Sequence, residues 1–299
     1  MKNIAFIINP ISGTKNKNRI PKLIERTLDH SQWAYDIVKT EYKGHATELA
    51  AQYAKLGFDA VVAVGGDGTV NEVASGLIHT DTALGILPIG SGNGFARHLN
   101  LPLQIEKTIK LINSSEPITV DYGIVNSHPF FCTCGTGFDA YIADKFAKAG
   151  KRGFATYLQH IIKDFFNYQS QHYKLQFRED DSQEWKYFET DAFLITFANA
   201  NQWGNSAYIA PKASIQDGLL DISVLSAFPM TAIPSLAYKL FEKTIDQTTY
   251  ITTLHATQVI LTRQQDGPFH YDGDPIDEHT TIDIQIKKDG LKVLVAKRF

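Results

Sequence analysis

The 299-residue sequence contains only two cysteines, Cys132 and Cys134, one residue apart in FFCTCG. Two thiols with no nearby histidine cluster do not make a zinc site; strand alternation instead places both on one face as reduced core residues. There is no run of Lys or Arg, and the formal net charge is −3. Nucleic acid demands a basic face, so it is excluded as a partner. Long hydrophobic runs are also absent. The apolar stretch Ile4 to Ile8 is shorter than a signal-peptide core and far shorter than a membrane span, so it reads as a buried strand. Nothing indicates export, and a cytoplasmic location is the expectation. No internal repeat or low-complexity tract interrupts the chain.

Hydrophobic residues make up 43% of the sequence and charged residues 20%, the composition of a soluble globular protein long enough for two domains. In the first third, apolar runs alternate with helical periodicity. IAFII at 4–8, YDIVKT at 35–40, DAVVAV at 59–64 and ALGILP at 83–88 are the strands. Between them, Ile20, Leu23, Ile24 and Leu28 share one helical face, as do Ala46, Leu49, Ala50 and Tyr53 ahead of a helix-ending Gly57. This rhythm predicts an α/β domain over 1–120 with a mainly parallel sheet and functional loops at the carboxyl ends of its strands.

From about Val120 the texture turns strand-rich: VDYGIV, PFFCTC, YKLQFR, AFLITFA, LLDISVL, ATQVILT, TIDIQI and LKVLVA. A β-rich, largely antiparallel sandwich or barrel over 121–299 is the expectation, with the last strand free to return to the first domain. Two helical stretches, 153–168 and 230–245, interrupt it. Phe154, Leu158, Ile161, Ile162, Phe165 and Phe166 form a broad apolar stripe in the first, read as core packing or as a lipid-facing wall.

GGDGTVNE, from Gly65 to Glu72, follows a buried strand directly. Gly65, Gly66 and Gly68 let backbone approach a ligand around Asp67, and Thr69 with Glu72 reads as a capping box for the helix of Val70, Val73, Ala74, Leu77 and Ile78. Strand, glycine loop and helix N-terminus together make an anion site. It lacks the GK[ST] ending of a Walker A loop and the G-x-G-x-x-G of a dinucleotide fold. An Asp beside a phosphate is electrostatically sensible when a cation accompanies it; otherwise the segment is a tight structural turn. A second loop, PIGSGNGFAR at 88–97, follows the next strand, with Gly90, Gly92 and Gly94 freeing N–H groups and Ser91 and Asn93 adding polar contacts. Arg97 stays open between phosphate partner and surface charge.

NPISG at 9–13, GGDGTVNE, PIGSGNGFAR, GTGFDA at 135–140, IQDGLLDISVL at 215–225 and DGDP at 272–275 resemble, in order and over essentially the whole chain, the diacylglycerol kinase catalytic family, which includes sphingosine, ceramide and bacterial lipid kinases. The resemblance implies a phosphofructokinase-like nucleotide domain and a β-rich lipid-substrate domain, with ATP and substrate meeting in the cleft between them. It implies ATP and Mg2+ as cofactors, with Asn9, Gly65 and Gly66 through Asn71 and Glu72, together with Gly90, Ser91, Gly92 and Asn93, around the ATP phosphates. Thr40, ending the second strand, also contacts nucleotide, and Ser91 replaces a Thr usual in the family. Oxygens of Ser214, Asp217 and Leu219 resemble a structural magnesium site, which the residues alone would explain as a turn.

In YDGDP the family has Asp-Gly-Glu with Glu as proton acceptor; here Asp274 takes that place, Asp272 is the alternative base, and a plain turn is the bland alternative. The expected reaction is ATP plus lipid alcohol, such as diacylglycerol, giving ADP and lipid phosphate. Sphingoid bases or other lipid alcohols are alternative acceptors. NAD kinase, which shares GGDGT, and a regulator that binds nucleotide or lipid without turnover are the rival functions. The expected partner is a lipid substrate at the membrane surface, with peripheral contact at most, and an edge strand of the second domain offers a way to pair two copies.

Overall fold

The computed structural model describes residues 1–12, 19–149, 164–165, 167–180 and 184–297. The chain divides into two compact units, one of residues 1–121 with 288–299 and the other of residues 122–287.

In the first unit, β1 (Lys2–Ile8), β2 (Trp33–Lys39), β3 (Ala60–Gly65) and β4 (Ala83–Pro88) are parallel in the order β2-β1-β3-β4. Ile4 pairs with both Tyr35 and Ala60, and Ala60 pairs with Ala83. β3 and β4 are buried throughout, as expected of strands covered on both faces, which read as continuous apolar runs. Helices α1 (Ile20–Thr27), α2 (His45–Lys55), α3 (Asp67–Leu77), α4 (Gly94–His98) and α5 (Ile105–Asn113) connect the strands. Proline in the first turn of α1 fixes its start, and Ile20 and Ile24 drop into the core with Ile4, Phe6, Val62, Val64 and Leu87. Each such fully buried side chain contributes about 1.5–3 kcal/mol through transfer from water. In α2 the face of Ala46, Ala50 and Tyr53 turns inward, and the Tyr53 hydroxyl donates to Asp36 Oδ2 at 2.6 Å.

The second unit is a β-sandwich with added helices. It begins within β5 (Ser115–Val125) and continues through β6 (His128–Phe130), β7 (Thr133–Gly137), α6 (Phe138–Ala149), β8 (Gln171–Arg178), β9 (Lys186–Ala192), β10 (Leu194–Ala198) and β11 (Leu220–Leu225). A short 3-10 turn, Met230–Ala232, leads into α7 (Ile233–Phe241), and β12 (Ile251–Ala256), β13 (Gln258–Arg263), β14 (Gly267–Tyr271), β15 (Asp274–Glu278) and β16 (Thr281–Ala296) follow. The antiparallel sheet β12-β11-β10-β7-β14-β15 faces β8, β13 and the first half of β16. Tyr173, Leu175 and Phe177 alternate inward from β8 to meet Phe197, Ile222, Leu261, Phe269 and Ile284. Both cysteines are free and buried, and Cys134 belongs to this core, where burial pushes its thiol well above the usual range.

TIDIQI and LKVLVA, expected as two strands, are one. The Asp289-Gly290 pair between them lies inside the sixteen-residue β16. Asp289 adopts a left-handed φ of 53°, and its N–H donates to Asp121 Oδ1 at 2.9 Å, so a local bend is absorbed without breaking the strand. Beyond that bend, Val293 pairs in parallel with Leu84 of β4, placing Lys288–Ala296 in the first unit. Of the expected apolar helix 153–168, Phe154, Leu158, Ile161, Ile162 and Phe166 lie outside the described residues. Phe165 packs edge-on against Phe138 and beside Phe193.

Candidate functional site

Parallel strands deliver their following loops to one edge. In the first unit, Asn9 follows β1, Thr40 follows β2, Gly66 follows β3 and Ile89 follows β4. The Asn9 and Thr40 N–H groups bond to Val64 O and Ile8 O, and the Ile89 N–H bonds to Gly65 O. The loops then lock to one another. Asn9 Nδ2 donates to Thr69 Oγ1 at 3.0 Å, while its Oδ1 accepts from the Ile11 N–H at 3.0 Å. The Asp67 carboxylate accepts from the Asn93 N–H at 2.9 Å and the Gly94 N–H at 2.7 Å, tying the start of α3 to the start of α4. Asn93, in the left-handed region at φ 52°, closes its own loop by accepting from the Gly90 N–H and donating to Gly90 O. The two glycine loops touch, since a Cβ on Gly90 would lie 2.5 Å from Gly66 Cα.

One expectation fails here. Thr69 and Glu72 do not form a capping box, because α3 begins at Asp67 with Gly66 as its N-cap and no side chain capping it. Thr69 is buried inside the first turn and receives Asn9, while Glu72 Oε2 accepts from the Ala46 N–H of α2 at 3.3 Å. The reason is that glycine carries no side chain to cap with, so the helix starts with its end open. An uncapped N-terminus with positive dipole, bordered by glycines, is the arrangement that receives an anionic group. Among the other expected residues, Asn71 Oδ1 receives the Ser75 hydroxyl along α3 at 3.5 Å, Ser91 is exposed, and Arg97 is half-buried with its Nε donating to Gly92 O at 3.0 Å. That bond holds the second glycine loop to α4.

The second unit carries Asp272 and Asp274. Tyr271 pairs with Asp274 across β14 and β15, which leaves Asp272-Gly273 as a two-residue hairpin turn. Both turn residues have positive φ, 48° and 85°, the requirement that makes Asp-Gly favourable there. The Asp272 carboxylate accepts from the N–H groups of Phe131, Cys132 and Thr133 at 2.9, 2.8 and 3.2 Å. Asp274, half-buried, opens β15. Ser214, Asp217 and Leu219 lie in the turn before β11. There Asp217 Oδ1 accepts from the Leu219 N–H at 3.0 Å, and the Ser214 hydroxyl oxygen accepts from the Gln216 N–H at 3.3 Å. Burial pushes the nearby Asp221 up to about 6, with Asp217's charge adding to the rise and His255 opposing it. The exposed Asp217 carboxylate and the Ser214 hydroxyl are oxygen donors of the kind a hard divalent cation takes. Among the described residues, no group of three or more His, Cys, Asp or Glu side chains is placed to hold a metal.

Sequence reasoning passed over two buried polar groups of this unit. His270 Nε2 meets Asp139 Oδ2 at 3.0 Å on the face that α6 covers. Arg263, ending β13, has all its nitrogens bonded, reaching Thr136 Oγ1 and the carbonyls of Gly267, Pro268, Glu278 and His279. It staples the β14–β15 hairpin from its open end. Burial pushes its guanidinium down from its usual value. The available signal for Arg263 was a charge ending the alternation of QVILTR.

A sequence profile described as "Diacylglycerol kinase catalytic domain" matches residues 3–125, and one described as "YegS C-terminal NAD kinase beta sandwich-like domain" matches residues 132–295. The "Probable lipid kinase YegS-like" of Chromohalobacter salexigens is 30% identical over 78% of this chain and 75% of its own length. This chain belongs to the diacylglycerol kinase catalytic domain family of YegS-like lipid kinases. The "Probable lipid kinase YegS" of an Escherichia coli strain is 29% identical over 78% of this chain and 77% of its own length. In fold, a crystal structure described as a diacylglycerol kinase from Bacillus anthracis superposes with a TM-score of 0.76 at 21% identity, covering 99% of this chain and 97% of that one. The α/β unit and the antiparallel sandwich are thus the two halves of a known lipid kinase fold. No helix among the described residues is long and apolar enough to cross a membrane.

Proposed function

We propose that this lipid kinase uses ATP and transfers its γ-phosphoryl group to the hydroxyl of a lipid alcohol, diacylglycerol or a similar acceptor. The observation that carries this reading is the open end of α3, framed by the touching Gly66 and Gly90 loops and pinned by Asp67. Backbone N–H groups in such a loop meet the phosphate charge without having to reorganise. Asn9, by bonding Thr69, orients the first turn of α3, and Thr40 completes the same strand-end row. Asp67 fixes the spacing between the two loops. A magnesium ion accompanying the phosphates would be held near this carboxylate. Magnesium, when bound with ATP, neutralises charge developing on the transferring group.

In the second unit, Asp274 takes the proton as the substrate oxygen forms its bond to γ-phosphorus and the bond to the ADP oxygen breaks. Asp272 is assigned the supporting task of holding the hairpin that presents Asp274, and Ser214, Asp217 and Leu219 are assigned a structural magnesium ion. The enzyme works from the cytoplasm, meeting its acceptor transiently at the membrane surface. The test is ADP release by the purified full chain with a panel of lipid alcohols in mixed micelles. Release that depends on one lipid class supports the reading and names the acceptor. Release with NAD as acceptor and with no lipid would replace it.

A further inference from the structure

The segment from Ser226 to Ile245, SAFPMTAIPSLAYKLFEKTI, has two apolar stripes, and only one is used internally. Phe228, Ala232, Leu236 and Leu240, four residues apart, pack on the cluster of Phe193, Ile209, Ile245 and Ile251. A surface helix should then turn polar outward. α7 does not. Met230, Pro234, Ala237, Tyr238 and Phe241 also repeat at helical spacing and all are exposed, with Met230, Tyr238 and Phe241 keeping 48%, 67% and 54% of their surface in water. These are three of the most exposed large apolar side chains among the described residues of the second unit.

We infer that the outward stripe of α7 is a docking element that lies in the headgroup layer of a bilayer carrying anionic lipids. Two observations choose this occupant. The first is charge. Lys239 and Lys243 flank the stripe, and Glu242 is the lone acid between Ser226 and Ile245. Lys243 Nζ rests 4.5 Å from the Tyr208 ring centre and Lys239 Nζ bonds Gln247 O at 3.4 Å, so contacts within the second unit position the cations that flank the row in sequence. The second is size. A nine-residue helix is roughly 14 Å long and 10 Å wide, too short to span a membrane and too small a patch for a stable dimer, which needs about 800 Å² per partner. A tyrosine, a phenylalanine and flanking lysines on a short helix suit in-plane insertion, with apolar rings below the headgroups and cations among them.

This inference rests on the lipid-acceptor reading for its purpose, but its test reads binding rather than turnover. The full chain is sedimented with vesicles of phosphatidylcholine and phosphatidylglycerol, with and without Tyr238→Ser/Phe241→Ser. The expected result is recovery with the wild-type vesicle pellet and a roughly tenfold or greater weakening in the double variant. Lys239→Gln/Lys243→Gln should remove most of the preference for phosphatidylglycerol. Tyr238 and Phe241 are exposed, so thermal unfolding of the Tyr238→Ser/Phe241→Ser variant should stay unchanged; if it does not fold, Met230→Ser alone should weaken binding in the same direction. Vesicle binding that is absent in the wild type or unaltered in the variants overturns the inference, as does a dimer in vesicle-free solution that the double variant dissociates. Loss of vesicle binding with unchanged turnover of micelle-dispersed lipid supports it. Vesicle binding through α7 with no lipid phosphorylated would sink the kinase reading and leave the docking element standing.

Discussion

Two carboxylates one residue apart, Asp272 and Asp274, should fail in opposite ways when made neutral. Asp272 accepts three backbone N–H bonds, two on Oδ1 and one on Oδ2. An asparagine carbonyl placed at Oδ1 keeps the Cys132 and Thr133 bonds, but its amide then faces the Phe131 N–H, donor against donor. Leaving that half-buried group unpaired and removing the charge costs about 1.5–3 kcal/mol. Asparagine tolerates the left-handed φ, so no backbone strain is added. With roughly 2–4 °C lost per kcal/mol in a chain of this size class, Asp272→Asn should unfold about 3–12 °C early. Turnover per folded molecule should stay near the wild-type value. Asp274→Asn should lower the rate by about two to four orders of magnitude, because the proton has lost its acceptor. Asp274→Glu should keep measurable activity. Calorimetry together with a single-turnover assay separates the cases. If Asp272→Asn melts normally while losing all activity, the division of labour between the two carboxylates is refuted.

Gly90→Ala places a methyl carbon against Gly66 Cα and should push the two glycine loops apart; the thermal shift that ATP gives the wild type should largely vanish, and its retention would show that the loops do not act together. Asp67→Asn loses one of two charge-assisted bonds, so it should cost about 1.5–3 kcal/mol by denaturant titration and raise KM for ATP; unchanged values for both would remove Asp67 from the loop lock. Burial raises Asp221 from the usual carboxylate range to about 6. Its contribution is therefore complete below about pH 4 and is lost as pH rises through 6. Asp221→Asn should flatten that slope in metal-free buffer, and a slope that persists would assign it to other groups.

The first unit was legible because its signals are local. A strand buried on both faces must be apolar throughout, and β3 and β4 are. The loops that follow them are glycine-rich because Gly66 and Gly90 approach within contact distance. Where a structural reason was non-local, the sequence misled or stayed silent. T-x-x-E resembles a cap, yet Thr69 serves Asn9, sixty residues earlier, and Glu72 serves α2. TIDIQI and LKVLVA read as two strands until Asp121 supplies the partner that lets β16 continue through Asp289. Asp272 resembles a catalytic acid from its neighbours alone. Its bonding partners lie about 140 residues away, at Phe131 to Thr133. Arg263 and the Asp139–His270 pair were invisible for the same cause, since a buried charge announces itself only once the groups that satisfy it are in place.

The path of β16 has a consequence for how the protein is made. On the ribosome, the first 121 residues emerge carrying both glycine loops and four of the strands that position them, yet their unit still lacks Lys288–Ala296. Until those residues are synthesised, β4, whose end carries the Gly90 loop, has no strand on the side where Val293 will pair with Leu84. A growing chain with an open sheet edge is exposed to wrong pairing. The first unit therefore cannot mature ahead of the sandwich unit, and production of the two is coupled: a transcript broken anywhere in the second unit yields no finished first unit.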